Sequence, residues 1–185
     1  MTTVIISGKS GAGSSTIGQL LAKKLGLDYF SLGKWYKQQF KMKSENEETD
    51  AAIKGWKSKE GSSKELHNKL DNIQLTLAKK GHIVIDSKLG IHFLKGLADF
   101  TVWLEASLPI RAARYAKRSK TDIDTAIKQL EEKESAERKS WKKIYGFDYF
   151  DQRNQADLVV DTSDKTPEEI VDHIIRVGRM RGLIG

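Results

Sequence analysis

The chain of 185 residues contains no cysteine and no long apolar run. Without cysteine the protein has neither a disulfide framework nor a thiolate metal site. No stretch approaches the ~18 consecutive apolar residues of a membrane-spanning helix. The chain opens on a strand-like segment instead of a charged and then apolar leader. We therefore expect a cytoplasmic protein that acts outside membranes.

Three further features are missing. The four histidines lack metal-ligand spacing, and there is neither an internal repeat nor a low-complexity basic tail. Lysine and arginine outnumber aspartate and glutamate by 32 to 25, so the net charge is +7 and polyanionic partners are favoured. Because the basic residues lie mostly within predicted helices, nucleic acid is a less favoured partner than a nucleotide.

Strands and helices alternate along the chain. Short apolar segments rich in β-branched residues predict buried strands over residues 3–7, 28–32, 82–86, 100–104 and 158–161. Apolar residues at helical spacing predict helices over 15–25, from 33, over 62–80, from 109, over 122–143 and over 167–180. The region 122–143 is either one helix or two that separate near Ser135. The alternation predicts one α/β domain over residues 1–185, with three α/β/α layers and a parallel five-stranded sheet.

The turn between the first strand and the first helix is rich in glycine and serine. It reads Gly8-Lys9-Ser10-Gly11-Ala12-Gly13-Ser14-Ser15-Thr16. The phosphate-binding pattern is G-x-x-x-x-G-K-[ST], and Ser14 stands where that pattern has the lysine that reaches the terminal phosphates. The glycines still let successive N–H groups converge on an anion, and the following helix adds its N-terminal dipole. Strand, loop and helix together predict a nucleotide phosphate site, with Ser15 at the position that coordinates Mg²⁺.

The missing lysine leaves two sources of positive charge open. Lys9 lies inside the loop and could fold back over the phosphates. In the alternative, Lys9 points to solvent and arginines from elsewhere in the chain supply the charge.

Other polar residues also follow predicted strands. Asp86 ends the third strand and Ser31-Leu32-Gly33 ends the second. Ligands of parallel α/β sheets bind beyond the carboxyl ends of the strands, so these residues are expected beside the glycine loop. Asp86 either holds Mg²⁺ through water, hydrogen-bonds a substrate, or serves as a turn cap.

A series of motifs runs through the chain in a fixed order. They are Gly8 to Thr16, Ser31-Leu32-Gly33, Leu70-Asp71-Asn72-Ile73-Gln74 with Leu77-Ala78, Ile83 to Leu89, Val102-Trp103-Leu104, Arg111-Ala112-Ala113-Arg114 with Arg118, Glu137-Arg138, Ile144-Tyr145-Gly146 and Asp157 to Thr162. Taken together they resemble cytidylate kinases of the archaeal type and their cytidylate-kinase-like relatives, within the phosphate-loop NTPase superfamily. The similarity covers most of the chain and is poorest over residues 41–63. In that group the loop commonly lacks the lysine, so Ser14 supports the resemblance.

The resemblance implies a nucleoside monophosphate kinase that transfers the γ-phosphoryl group of ATP to CMP, and to dCMP, with Mg²⁺. It implies a phosphate-loop kinase fold with a monophosphate-binding segment at about 33–80 and a helical lid at about 119–150. The implied catalytic cations are Arg114, Arg118, Arg138 and Lys9. The implied metal ligands are Ser15 and Asp86. The implied substrate contacts are Ser31, Gly33, Lys37, Asp71, Gln74, Asp86 and Lys88.

Some positions depart from the family pattern. Lys37 and Lys88 stand where relatives carry arginines, and Ser140 stands at the position of a lid arginine. Lysine keeps the charge and loses the two-pronged geometry. Arg111 and the pair Asp71 and Gln74 are as readily ordinary exposed helix residues as site residues.

The departures keep two other interpretations open. One is a kinase for a different monophosphate or small phosphoryl acceptor. The other is a nucleotide- or RNA-binding protein with little turnover. A monomer or weak dimer is expected in each case.

Overall fold

The computed structural model describes residues 2–39 and 64–185. Within these ranges five strands form one sheet in the order β2-β3-β1-β4-β5, and every strand pair is parallel. The strands are β1 Thr3–Gly8, β2 Asp28–Ser31, β3 Ile83–Asp86, β4 Phe100–Glu105 and β5 Leu158–Asp161. The parallel five-stranded sheet expected from the sequence is confirmed, and the strand bounds differ from the predicted ones by one residue at most.

Helices connect the strands. In the described ranges they are α1 Ser14–Leu25, α2 Leu32–Gln39, α3 Lys64–Lys80, α4 Gly90–Leu94, α5 Leu108–Ser119, α6 Ile123–Tyr145 and α7 Pro167–Met180. A 3₁₀ helix covers Tyr149–Gln155. None of these helices combines the length and the apolar character that crossing a membrane requires.

Alternating strand residues divide the core between the two faces of the sheet. Val4 and Ile6 of β1 pack with α1 and α7 on one face, whereas Ile5 packs on the other face among residues of α3, α4, α6 and the 3₁₀ helix. The three layers predicted from the alternation of elements are therefore present. The helices α5 and α6 pack on each other through a smaller apolar cluster around Tyr115 and Leu130.

The helix α6 is continuous over 23 residues, so the alternative of two helices separating near Ser135 is wrong. Its interior contains neither glycine nor proline and is rich in lysine and glutamate, which are strong helix formers. The side chain of Asp122 caps its start by accepting from the Thr125 N–H, and Gly146, with a φ of 80°, ends it.

Sequence patterns missed two short elements, α4 and the 3₁₀ helix. Both are too short to show a helical period, and their residues pack under the sheet by tertiary contacts. The predicted start of α3 at residues 62–63 and the poorest part of the resemblance, residues 41–63, lie outside the described residues.

Candidate active site

A cavity of about 430 Å³ opens at the carboxyl edge of the sheet. Its walls are the loop after β1, the ends of β2 and β3, one face of α3 and one face of α6. Most of the predicted binding residues line it: Ser10, Gly11, Ser14, Ser15, Thr16, Ser31, Gly33, Asp71, Gln74, Asp86 and Lys88. The side chain of Lys37 lies outside the described part of the structure.

The loop between β1 and α1 leaves the sheet very close to β4. A Cβ atom on Gly8 would lie 2.3 Å from the carbonyl oxygen of Leu104, so only glycine allows this approach. Gly13 precedes α1 with a φ of 97°, in the left-handed region that favours glycine, and offers no side-chain cap. The first N–H groups of α1 are thus available to an anion, which the helix dipole also favours.

Ser15 and Asp86, the two predicted metal ligands, lie side by side. The Ser15 hydroxyl donates to Oδ2 of Asp86 at 2.7 Å, and the hydroxyls of Tyr29 and Ser31 donate to the same oxygen at 3.2 Å each. Ser31 is brought there because it is the register partner of Asp86 in the β2–β3 pair. Burial, followed by the charge of Asp86, raises the pKa of Tyr29 to about 12, so Tyr29 stays a hydrogen-bond donor.

The Ser15–Asp86 pair fits Mg²⁺. Magnesium prefers oxygen ligands and takes only one or two from the protein, with water and phosphate completing the octahedron. Across residues 2–39 and 64–185 there is no group of three or more histidine, cysteine, aspartate or glutamate side chains placed to hold a metal. A site built from one hydroxyl and one carboxylate therefore suits a metal that arrives with phosphate.

A chain of hydrogen bonds runs from β3 through α3 to α6, and we call it the α3–α6 network. Ser87 Oγ donates to Gln74 Oε1 at 2.7 Å, and Gln74 Nε2 donates to Asp71 Oδ1 at 3.2 Å. The Tyr145 hydroxyl donates to Asp71 Oδ2 at 2.9 Å and lies 2.9 Å from Nδ1 of His67. Because the hydroxyl hydrogen of Tyr145 is directed to the carboxylate, Nδ1 of His67 is assigned as the donor to Tyr145.

The network fixes what each side chain presents. Gln74 is completely buried, and its amide orientation is set by Ser87 on one side and by Asp71 on the other. Burial raises the pKa of Asp71, an effect opposed by the hydrogen bonds from Tyr145 and Gln74. Burial and the charge of Asp71 together raise the pKa of Tyr145. The result is a carboxylate held in place by two neutral donors at the cavity wall.

Lys88 follows β3 and reaches the loop after β1. Its ammonium group donates to Ser10 Oγ at 2.8 Å and lies 3.3 Å from the carboxylate of Glu137 on α6. The carbonyl oxygen of Lys88 accepts from the buried amide of Gln152 at 2.9 Å, which anchors the backbone at this point.

Comparison with known proteins identifies the family. Residues 3–164 match the model of the cytidylate kinase-like family. The chain belongs to this family. It is 32% identical over 163 residues to a cytidylate kinase from Methanocaldococcus jannaschii. The aligned region covers 86% of this chain and 88% of the relative. It is 33% identical over 168 residues to a cytidylate kinase from Sulfurisphaera tokodaii, and the aligned region covers 90% of this chain and 89% of the relative.

Solved structures agree with the fold of this cytidylate kinase-like protein. A shikimate kinase from Bacteroides thetaiotaomicron superposes with a TM-score of 0.62, at 15% identity, over 98% of both chains. At this identity the likeness concerns the fold alone. The phosphate-loop kinase fold expected from the resemblance is confirmed.

The four predicted catalytic cations of the cytidylate kinase-like chain lie in three different places. Arg118, at the end of α5, lines the cavity. Arg114 instead donates to the side chain and carbonyl of Thr162, beyond β5. Arg138 pairs with Asp148 and lies over the ring of Phe150, at 4.7 Å from its centre, and the Lys9 ammonium lies 4.8 Å from the centre of the same ring.

Arg111 contacts the loop itself. Its side chain is 5% exposed, and its guanidinium donates to the carbonyl oxygen of Ser10 at 2.9 Å and to Glu134 at 2.6 Å. The alternative in which Arg111 is an exposed helix residue is therefore wrong, because its side chain is buried. Arg111 holds the phosphate loop from the side of α5.

Sequence reasoning missed several residues that line the cavity. His67 lies on α3, and four residues line one face of α6: Lys133, Glu137, Trp141 and Tyr145. Their constant spacing of four residues places them on one side of the helix. This spacing is present in the sequence. It is hard to recognise there, because the four side chains are chemically different and the region around them is highly charged.

Proposed function

We propose that this protein is a nucleoside monophosphate kinase that transfers the γ-phosphoryl group of ATP to CMP and dCMP. The observation that carries the proposal is that one cavity contains two separate kinds of recognition. The glycine loop with the Ser15–Asp86 pair suits phosphates and a metal, and the α3–α6 network suits a base. Membership in the cytidylate kinase-like family supports the pairing of these two functions.

On the donor side, the loop N–H groups and the start of α1 would hold the phosphates of ATP. Ser15 and Asp86 would hold Mg²⁺, which neutralises charge on the phosphates when it is bound. The protein's part is to position the reactants and to place cations around the transferred group. Arg118 is the arginine of α5 that lines the cavity and is proposed for this role.

On the acceptor side, the carboxylate of Asp71 would read the base. Cytosine carries an exocyclic amino group, which is a donor, at the position where uracil carries a carbonyl oxygen. The carboxylate can accept from the amino group but has no hydrogen to offer the carbonyl. With uracil, two acceptor oxygens would face each other without a shared hydrogen, and a site built to pair with a donor rejects such an analogue.

A turnover panel tests the proposal. Purified protein with Mg·ATP is offered CMP, dCMP, UMP, AMP and GMP, and ADP release is followed. We expect clear preference for CMP and dCMP. Preference for another monophosphate would show that CMP is not the preferred acceptor and would overturn the proposed role of Asp71. Release of no ADP with all five, while ATP binds, would overturn the kinase proposal for these substrates.

A further inference from the structure

The phosphate loop lacks the side chain that normally supplies its charge. Ser14 begins α1 at the position where the loop pattern has lysine, and this serine lines the cavity. The backbone cradle formed by Gly8, Gly11 and Gly13 is intact. An ATP bound there would have its terminal phosphates cradled without the usual ammonium group, so the cation has to come from another element.

Lys9 is badly placed for this task. Its ammonium lies over the ring of Phe150 in the 3₁₀ helix, 4.8 Å from the ring centre. Glu105, at the end of β4, is also close: the hydrogen bond from Arg153 lowers the pKa of that carboxyl most, and the charges of Arg153 and Lys9 add to the effect. Within the described residues, Lys9 lies outside the lining of the cavity.

Lys88 is placed where the loop needs a cation. Its ammonium is 2.8 Å from Oγ of Ser10, a residue of the loop. Both residues line the cavity. Ser10 is held on its other side by Arg111, which donates to its carbonyl oxygen. The hydrogen bond from Gln152 to the Lys88 carbonyl fixes the backbone from which this side chain reaches the loop.

Glu137 positions the ammonium. Its side chain is 5% exposed and lies 3.3 Å from the Lys88 ammonium, on the face of α6 that lines the cavity. A buried carboxylate needs a cation nearby, and an ammonium group carries three donors. Lys88 therefore can keep Glu137 as one partner and exchange Ser10 for a phosphate oxygen.

We infer that Lys88, in the turn that follows β3, replaces the missing loop lysine and binds the terminal phosphates of ATP. This inference rests on the proposed function for the identity of the donor nucleotide. It assigns to the turn after β3 the charge that the loop sequence has lost. It also gives Glu137 a positioning role, which directs the ammonium toward the loop.

The test measures Mg·ATP binding without any acceptor, by calorimetric titration. Lys88→Met is expected to weaken ATP binding roughly 10- to 100-fold, the effect of losing one charge-assisted hydrogen bond. Restoring the loop pattern with Ser14→Lys in the Lys88→Met background is expected to recover most of that loss. Lys95→Met, at an exposed lysine just after α4, is the matched control and is expected to bind ATP as the wild type does.

Two results would overturn the inference. One is Lys88→Met binding ATP within about twofold of wild type, even if its KM for CMP rises, because Lys88 would then serve only the acceptor. The other is a loss of ATP affinity in Lys9→Met that Ser14→Lys rescues, because Lys9 would then supply the charge. If Ser14→Lys does not fold, Lys88→Arg decides: it should retain ATP affinity that Lys88→Met loses. Because no acceptor is present, failure of the CMP proposal leaves this test unaffected.

Discussion

At the scale of single residues, one carboxylate oxygen accepts hydrogen bonds from three side chains of two elements. Ser15 comes from α1, Tyr29 and Ser31 come from β2, and all three donate to Oδ2 of Asp86. Such convergence on one atom leaves little freedom for the hydroxyl of Ser15. Both predicted metal ligands thus have a defined position before a nucleotide arrives.

Removing the hydroxyl of Ser15 should therefore affect the metal first. For Ser15→Ala we expect turnover to fall on the order of 10- to 100-fold and the required Mg²⁺ concentration to rise, as is typical when groups around a metal are lost. Initial rates at a series of Mg²⁺ concentrations measure this. Ser15→Thr keeps the hydroxyl and is the control that should retain activity. A wild-type Mg²⁺ dependence in Ser15→Ala would remove Ser15 from the metal site.

The base selection proposed for Asp71 also belongs to the scale of a residue. In Asp71→Asn one of the two acceptor oxygens becomes a donor, so Tyr145 and Gln74 compete for the remaining oxygen. We expect kcat/KM for CMP to fall roughly 10- to 100-fold and the UMP-to-CMP ratio to rise. Asn72→Ala, at the next and exposed residue of α3, should leave both values unchanged. An unaltered UMP-to-CMP ratio in Asp71→Asn would mean that another group reads the base.

At the scale of elements, α7 lies away from the cavity, which other helices line. The helices α3 and α6 supply cavity walls, whereas α7 packs with α1 on the opposite face of the sheet and contributes to the core. The start of α7 is fixed by Thr166, whose hydroxyl and backbone both pair with Glu169 in a capping box. Stability and nucleotide binding can therefore be changed separately.

The capping box offers that separation. Thr166→Ala should lower the free energy of unfolding by about 1 kcal/mol, because an N-cap hydroxyl is lost from the helix. Urea unfolding should show a lower midpoint with an unchanged m-value, and ATP affinity should match wild type. Glu168→Gln, in the same turn but outside the box, should cost less. A Thr166→Ala midpoint equal to that of the wild type would mean that the capping box does not stabilise the fold.

At the scale of the whole molecule, the architecture was predictable because burial imposes simple periods. Strands buried on both faces are short apolar runs. Pro167 directly after Thr166 indicates the start of a helix. The carboxyl-edge rule then placed Ser31 and Asp86 beside the loop, and the structure brings them together. The family resemblance, rather than any period, supplied the candidate base-reading residues on α3.

The contacts of the basic residues were less predictable, because charge in a sequence does not reveal its partner. Arg111 and Arg114 lie three positions apart on α5, yet one holds the phosphate loop and the other holds Thr162. Lys9 and Lys88 are 79 positions apart, and only the folded structure shows that Lys88 is the one that lines the cavity. Side-chain direction depends on neighbours contributed by distant elements, which a local pattern does not contain.

The net charge of +7 leads to a prediction for the whole molecule. Binding RNA through many phosphates would release many counterions, so its affinity would fall steeply with salt. A nucleotide held by the loop meets far fewer charges, and we expect its affinity to fall by less than about tenfold between 50 and 200 mM salt. Titrations of ATP and of a single-stranded RNA over that range compare the two. A steep loss for ATP, matching that of RNA, would indicate diffuse electrostatic attraction.

The continuity of α6 has a mechanical consequence. With 23 residues the helix is about 35 Å long, and it joins α5 through Lys120, whose φ of 53° marks a sharp turn of the chain. Glu137 and Tyr145 are carried on this single lever, so a rotation of about 5° near its start displaces Tyr145 by roughly 3 Å. Glu137 contacts Lys88 and Tyr145 contacts Asp71, so a movement of α6 changes both contacts at the same time.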